Sequence, residues 1–237
     1  MKTTFLGCCL LLLCGGVLSA GTITFTVLGA DSPFLSGDGN TKEYVGLPLT
    51  AGTFLQFSVT GSAHYDACPC TATPDGSTSF TGGTSSAGVG ISNVLGNYDG
   101  LFGVFVGDVR NSTAPATLDF RPSASPGMDF ESLSPLLQQV FFIGDGLTGT
   151  GTGTSQDFFV PTGATHLYLG LLDGSGWYNN GGSFSVTIND PALEGSTSST
   201  PEPGSVTMMI GAGLLGLGLR FKKPASRALA VVNLVKG

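Results

Sequence analysis

The segment Ser183-Phe184-Ser185-Val186-Thr187-Ile188-Asn189 alternates polar and apolar residues without a break. That two-residue period predicts a strand with one face buried and the other wet. Shorter runs rich in β-branched and aromatic residues at 22–27, 53–59, 101–106, 141–143, 157–160 and 165–172 predict further strands. Turn-forming clusters separate them: Ser36-Gly37-Asp38-Gly39-Asn40, Pro74-Asp75-Gly76-Ser77 and Asn179-Asn180-Gly181-Gly182. Only 132–139 reads as helical, as one or two turns. The tract Gly149-Thr150-Gly151-Thr152-Gly153-Thr154 repeats too tightly for a solenoid and reads as a flexible loop. Many short strands joined by Gly-rich turns predict an all-β domain over 21–190, built as a jelly-roll-like β-sandwich.

Both ends depart from this pattern. Lys2, an apolar stretch over 5–18 and the small residues Ser19 and Ala20 read as a secretory signal peptide, 1–20, cut after Ala20. After the sandwich comes a Ser/Thr-rich linker, 191–200, and then Pro201-Glu202-Pro203, an apolar run over 205–219, and Arg220, Lys222 and Lys223. Crossing a bilayer takes about 20 apolar residues, so this run spans only if its flanking cations snorkel to the headgroups. Gly211, Gly213, Gly216 and Gly218 fit a membrane helix better than a soluble one, where each would cost about 1 kcal/mol against Ala. The trailing cations place the C-terminal end on the cytoplasmic side of the membrane. The chain then continues over 224–237 with Arg227 and Lys236 around an apolar stretch.

The triplet Pro201-Glu202-Pro203, the apolar run and the cations Arg220, Lys222 and Lys223 resemble the PEP-CTERM sorting signal of Gram-negative bacteria. That resemblance implies a single transmembrane sorting helix over 201–223 and an exosortase as partner. It further implies cleavage near the triplet, and passage from an inner-membrane anchor to the cell surface or extracellular matrix. Members of that group usually stop soon after the basic cluster, so 224–237 is an atypical extension.

Composition narrows what the exported part can bind. Between residues 21 and 200, three basic residues (Lys42, Arg110, Arg121) stand against fifteen acidic ones, a net charge of −12. Such a surface repels phosphate backbones and excludes nucleic acid as a partner. It suits a neutral glycan or a divalent cation. Beyond the signal peptide the cysteines are Cys68 and Cys70, one residue apart. A bridge across one residue is strained, and two thiols alone make no zinc site.

The richest chemistry lies in the stretch from Asp173 through Trp177, Tyr178, Asn179 and Asn180 to Ser183-Phe184-Ser185-Val186, which reads as the last hairpin. A carboxylate, two amides and loop carbonyls are hard oxygen donors of the kind calcium takes. Asn-Asn-Gly-Gly is equally a turn signal with no metal. The stretch resembles the calcium loop of bacterial galactophilic lectins, small sandwiches of galactose-binding-like fold. By that resemblance Asp173 would be the carboxylate ligand, Asn179 and Asn180 the amide ligands and Trp177 the carbonyl donor. The segment Ala51-Gly52-Thr53 ahead of a strand would make Leu49 a second carbonyl donor. Trp177 and Tyr178 would stack on a sugar or lid the core.

Catalysis has less support. His64 and His166 are the only histidines, and His166 alternates within a strand as structural histidines do. No Gly-x-Ser-x-Gly elbow and no phosphate loop appears. The expected protein is an exported, non-catalytic envelope or matrix component that contacts exopolysaccharide through a calcium-dependent loop. The alternative is a secreted polysaccharide hydrolase on the same sandwich, whose paired carboxylates would be visible only in space.

Overall fold

The computed structural model describes residues 21–41, 49–66 and 71–190. Its thirteen strands in chain order are β1 (Thr22–Leu28), β2 (Phe54–His64), β3 (Thr81–Gly82), β4 (Val94–Asn97), β5 (Leu101–Val106), β6 (Leu118–Asp119) and β7 (Ser132–Leu133). They continue as β8 (Val140–Phe142), β9 (Leu147–Gly149), β10 (Thr152–Ser155), β11 (Asp157–Phe159), β12 (His166–Leu171) and β13 (Gly181–Asn189). A five-stranded sheet runs β1-β13-β2-β11-β7, and a three-stranded sheet runs β12-β5-β8. A small sheet β3-β4-β6 and the ribbon β10-β9 lie beside them. The fold is all-β. The predicted signal peptide, linker, sorting helix and C-terminal extension, with Cys68 and Cys70, lie outside the described residues.

The alternating segment behaves as its period requires. Along β13, Phe184, Val186 and Ile188 are buried while the residues between them reach solvent. This strand is central, pairing antiparallel with β1 from Thr22↔Asn189 to Leu28↔Ser183 and with β2 from Gly181↔His64 to Asn189↔Gln56. By contrast, every residue of β5 is buried. A strand covered on both faces loses its alternation, and Leu-Phe-Gly-Val-Phe-Val is such a run.

One core joins the layers. Phe158 on β11 packs edge-on against Phe57 of β2 at 5.1 Å between ring centroids, and lies tilted against Phe141 of β8 at 5.7 Å. Phe141 stacks on Phe105 of β5 at 5.1 Å, and Phe102, Phe120 and Phe142 continue the cluster. Offset and edge-on rings contribute about 0.5–1.5 kcal/mol per pair beyond the area they bury.

Three expectations need correction. Residues 132–139 form no helix; Ser132–Leu133 is β7, paired in parallel with β11, and Gln138 takes a left-handed φ of 65°. The Gln138 and Gln139 side chains hold the carbonyls of Gly90, Asn111 and Ala116 instead, so a polar loop is fastened where a helix would leave these groups unpaired. The Gly/Thr tract is no free loop, because most of it forms the ribbon β9–β10. Finally, the stretch after Asp173 is not a hairpin: β12 pairs with β5 while β13 pairs with β1 and β2, so the chain crosses between layers there.

Phe158→Ala removes the ring common to both layers. It is expected to cost about 3–5 kcal/mol, read as a lower midpoint in urea denaturation with fluorescence detection.

Candidate functional site

The crossover from Leu172 to Gly182 is built by local hydrogen bonds. Asp173 Oδ1 accepts the Gly174 N–H at 2.6 Å and the Ser175 N–H at 3.4 Å, turning the chain at once. Gly176 adopts φ 84°, which L side chains avoid, and its N–H donates to Asp38 Oδ2 at 2.8 Å. One 3-10 turn follows, Trp177–Asn179, closed by the Asn180 N–H on the Trp177 carbonyl at 3.1 Å.

The aromatic pair is divided between core and solvent. Trp177 is fully buried, its Nε1–H donates to the Leu171 carbonyl at 2.9 Å, and its ring lies 5.7 Å from that of Phe34. It closes the core and presents no face to a sugar, which corrects one half of the stacking expectation. Tyr178 is 79% exposed. It forms one wall of a depression of about 250 Å³ shared with Ala30, Asp38, Gly39 and Asn40.

The expected metal donors converge only in part. Leu49 precedes the start of β2, whereas Asn180 adjoins its far end at His64. Eleven residues of strand join those ends, about 33 Å at the usual rise, so Leu49 is not part of this site. The segment that reaches the crossover is 64–66: Asn180 Oδ1 accepts the Asp66 N–H at 3.2 Å, and His64 Nδ1 faces the Asp66 carbonyl at 2.9 Å. Asn179 is exposed, and Asn180 Nδ2 is buried without a partner among the described residues.

Sequence reasoning missed Asp99. It is 1% exposed, takes a left-handed φ of 65°, and its N–H is held by the Leu172 carbonyl at 2.9 Å. Its Oδ1 is buried with no hydrogen-bond partner among the described residues. Burial, reinforced by the Asp173 charge, pushes its carboxyl up to about 7, against smaller opposing pulls from His64 and the Tyr65 N–H. Burial and Asp173 also raise the neighbouring Tyr98 phenol. The only trace in the sequence was Tyr98-Asp99-Gly100, which reads as an ordinary turn. Among the described residues no three acidic, His or Cys side chains close on a single point. A cation here would therefore combine the carboxylates of Asp99 and Asp173 with neutral oxygens, a donor chemistry that fits calcium.

A second depression, about 390 Å³, lies at the other end of β12. His166 Nε2 is 3.2 Å from Asp108 Oδ1, which also accepts the Thr165 hydroxyl at 2.8 Å, and Arg110 and Tyr168 are part of the lining.

Comparison with known proteins adds one match. Residues 199–223 fit the model of the PEP-CTERM protein-sorting motif, two residues wider at the front than the segment read from sequence. The chain is thus an exported protein processed by an exosortase, with membrane association through its C-terminal segment. No curated protein and no solved structure matches it.

A carboxyl raised in the fold binds its proton more tightly there than in the unfolded chain. Asp99 therefore makes folding less favourable as pH rises from the ordinary 3.8 towards about 7, with the loss complete above that. In EGTA, thermal melts should show a stability component falling across this window, and Asp99→Asn should remove that component.

Proposed function

We propose that the mature protein is a non-catalytic component of the cell envelope or extracellular matrix that binds neutral glycan, such as exopolysaccharide, through the Tyr178 depression. The scaffold in this reading is a jelly-roll-like sandwich of galactose-binding-like type. The observation that carries it is the exposed phenol ring of Tyr178 set beside Asp38 and Asn40 in a sugar-sized hollow. A sugar offers C–H faces to such a ring and hydroxyls to such polar groups. The domain's acidic surface disfavours anionic polymers and leaves neutral ones.

Calcium belongs to the same reading. Asp173 and Asp99 would supply carboxylates, Asn179 and Asn180 amide oxygens, and Trp177 its carbonyl. The ion would neutralise the paired carboxylates and fix the crossover that carries Tyr178. The orphaned Asp99 oxygen beside a second carboxylate is what supports a cation there. Exosortase cleavage near Pro201-Glu202-Pro203 would release the domain from the inner membrane to the cell surface or matrix.

The Asp108–His166 pair favours a second reading, a secreted polysaccharide hydrolase working in the other depression. Turnover of a polysaccharide panel, lost in His166→Ala, would replace the first reading with this one.

On a glycan array the detergent-solubilised chain should bind neutral polysaccharide. Tyr178→Ala should weaken binding by about two- to twelvefold, since a stacking ring contributes roughly 0.5–1.5 kcal/mol. Asp173→Asn should make binding insensitive to EGTA and weaker throughout. A blank array, or binding unchanged in Tyr178→Ala, would refute this placement.

A further inference from the structure

The loop that follows β5 is exposed over 108–114, yet it is pinned at one point. Gln138, 2% exposed, grips it through the side chain. Its Oε1 accepts the Asn111 N–H at 2.6 Å, and its Nε2 donates to the carbonyls of Asn111 at 2.9 Å and Gly90 at 2.6 Å. The Gln138 backbone is itself fixed, its N–H donating to the Phe105 carbonyl at 2.8 Å. Gly90 lies so close that a Cβ there would overlap the Asn111 carbonyl. Water alone satisfies the backbone of a surface loop with no set position. A buried amide committed to both backbone groups of Asn111 instead fixes the residue before it, Arg110.

Among the described residues the Lys and Arg side chains are those of Arg110 and Arg121. Arg121 is bound to Asp119 at 2.6 Å, whereas Arg110 enters no ion pair among the described residues. Asp108, two positions away, is engaged elsewhere, by the Thr165 hydroxyl and by His166 Nε2. The domain has a net charge of −12, so acidic side chains abound, and none of those described takes this guanidinium.

Arg110 lines the depression of about 390 Å³, within the usual range for small-ligand sites of about 300–1,000 Å³. His166 and Tyr168 alternate along β12 and are both half-buried, with their rings 6.3 Å apart. Thr41 and Asp108 add oxygens to the lining. The guanidinium fork matches a carboxylate through two parallel hydrogen bonds. One cation balances one carboxylate. A phosphate dianion would leave charge uncompensated near Asp108, and a polyanion would be repelled by the domain as a whole. An aromatic ring among hydrogen-bonding groups suits the C–H face and hydroxyls of a sugar.

We propose that this depression binds a uronate, a carboxylate-bearing sugar residue carried singly on an otherwise neutral glycan. Arg110 holds the carboxylate, Tyr168 lies against the ring, and Asp108, His166 and Thr41 meet the hydroxyls. The site shares no lining residue with the Tyr178 depression. It rests on neither reading given above, and binding here requires no turnover.

The test is saturation-transfer NMR and calorimetric titration of the full chain in detergent. The probes are methyl glucuronide, methyl glucoside, acetate and inorganic phosphate. The glucuronide should bind about tenfold or more tightly than each of the other three, because charge-assisted hydrogen bonds add to the sugar contacts. Arg110→Gln should weaken glucuronide binding by about tenfold or more, with the melting temperature unchanged because the residue is exposed. Arg110→Lys keeps the charge without the fork and should fall between the two. Glucuronide bound no more tightly than glucoside, or equally well by the Arg110→Gln protein, would overturn the site. Acetate or phosphate competing as well as glucuronide would mean an anion site without sugar recognition and would overturn the assignment. Neutral glycan binding is scored separately on the array, so failure here leaves the Tyr178 reading standing.

Discussion

Ring packing between the two layers, centred on Phe158, sets where the loops of this molecule are delivered. Phe158 touches Phe57 on one sheet and Phe141 on the other, with Phe130 closing a third side at 5.7 Å. With those rings engaged, β2 is fixed against β13 and β5 against β12. The ends of these strands then bring Asp99, Asp173, Asn180 and the 64–66 segment to one end of the packed sheets. Apolar burial thus does the positioning, although no ring of that core belongs to the polar cluster it creates.

The price of that positioning is electrostatic. The exported domain has few cations, and the Arg121 guanidinium is already committed to Asp119 at 2.6 Å. Carboxylates drawn inward by the fold therefore meet few cations, and burial raises the carboxyls of Asp99 and Asp75 above their ordinary value. Both belong to elements that hold loops in place, the crossover in one case and the β9–β10 ribbon in the other.

Much of the strand pattern was legible because strand periodicity is local. The segments at 22–27, 101–106 and 183–189 recur as β1, β5 and within β13. The Gly/Thr tract was misread because Gly and Thr carry no apolar pattern; its order comes from Asp145 and through it from Asp75, 70 residues away. Helix-like spacing at 132–139 was overruled by glutamines that found buried carbonyls to hold. At the candidate site, Asp173, Tyr178 and Asn180 were visible as polar or aromatic groups on a turn, whereas Leu49 was chosen by analogy of neighbours and the register of β2 removes it.

The sequence by itself determined the address and the material. The sorting motif is contiguous, as is the alternation that makes strands, so both are read along the chain. Tertiary structure alone decided that the stretch after Asp173 crosses between sheets, that Trp177 turns inward while Tyr178 faces solvent, and that Asp99 joins Asp173. Those outcomes depend on burial and on pairs as distant as Asp66 and Asn180, 114 positions apart. Local chemistry cannot encode which carboxylate loses its water; only the packing of the layers around it does.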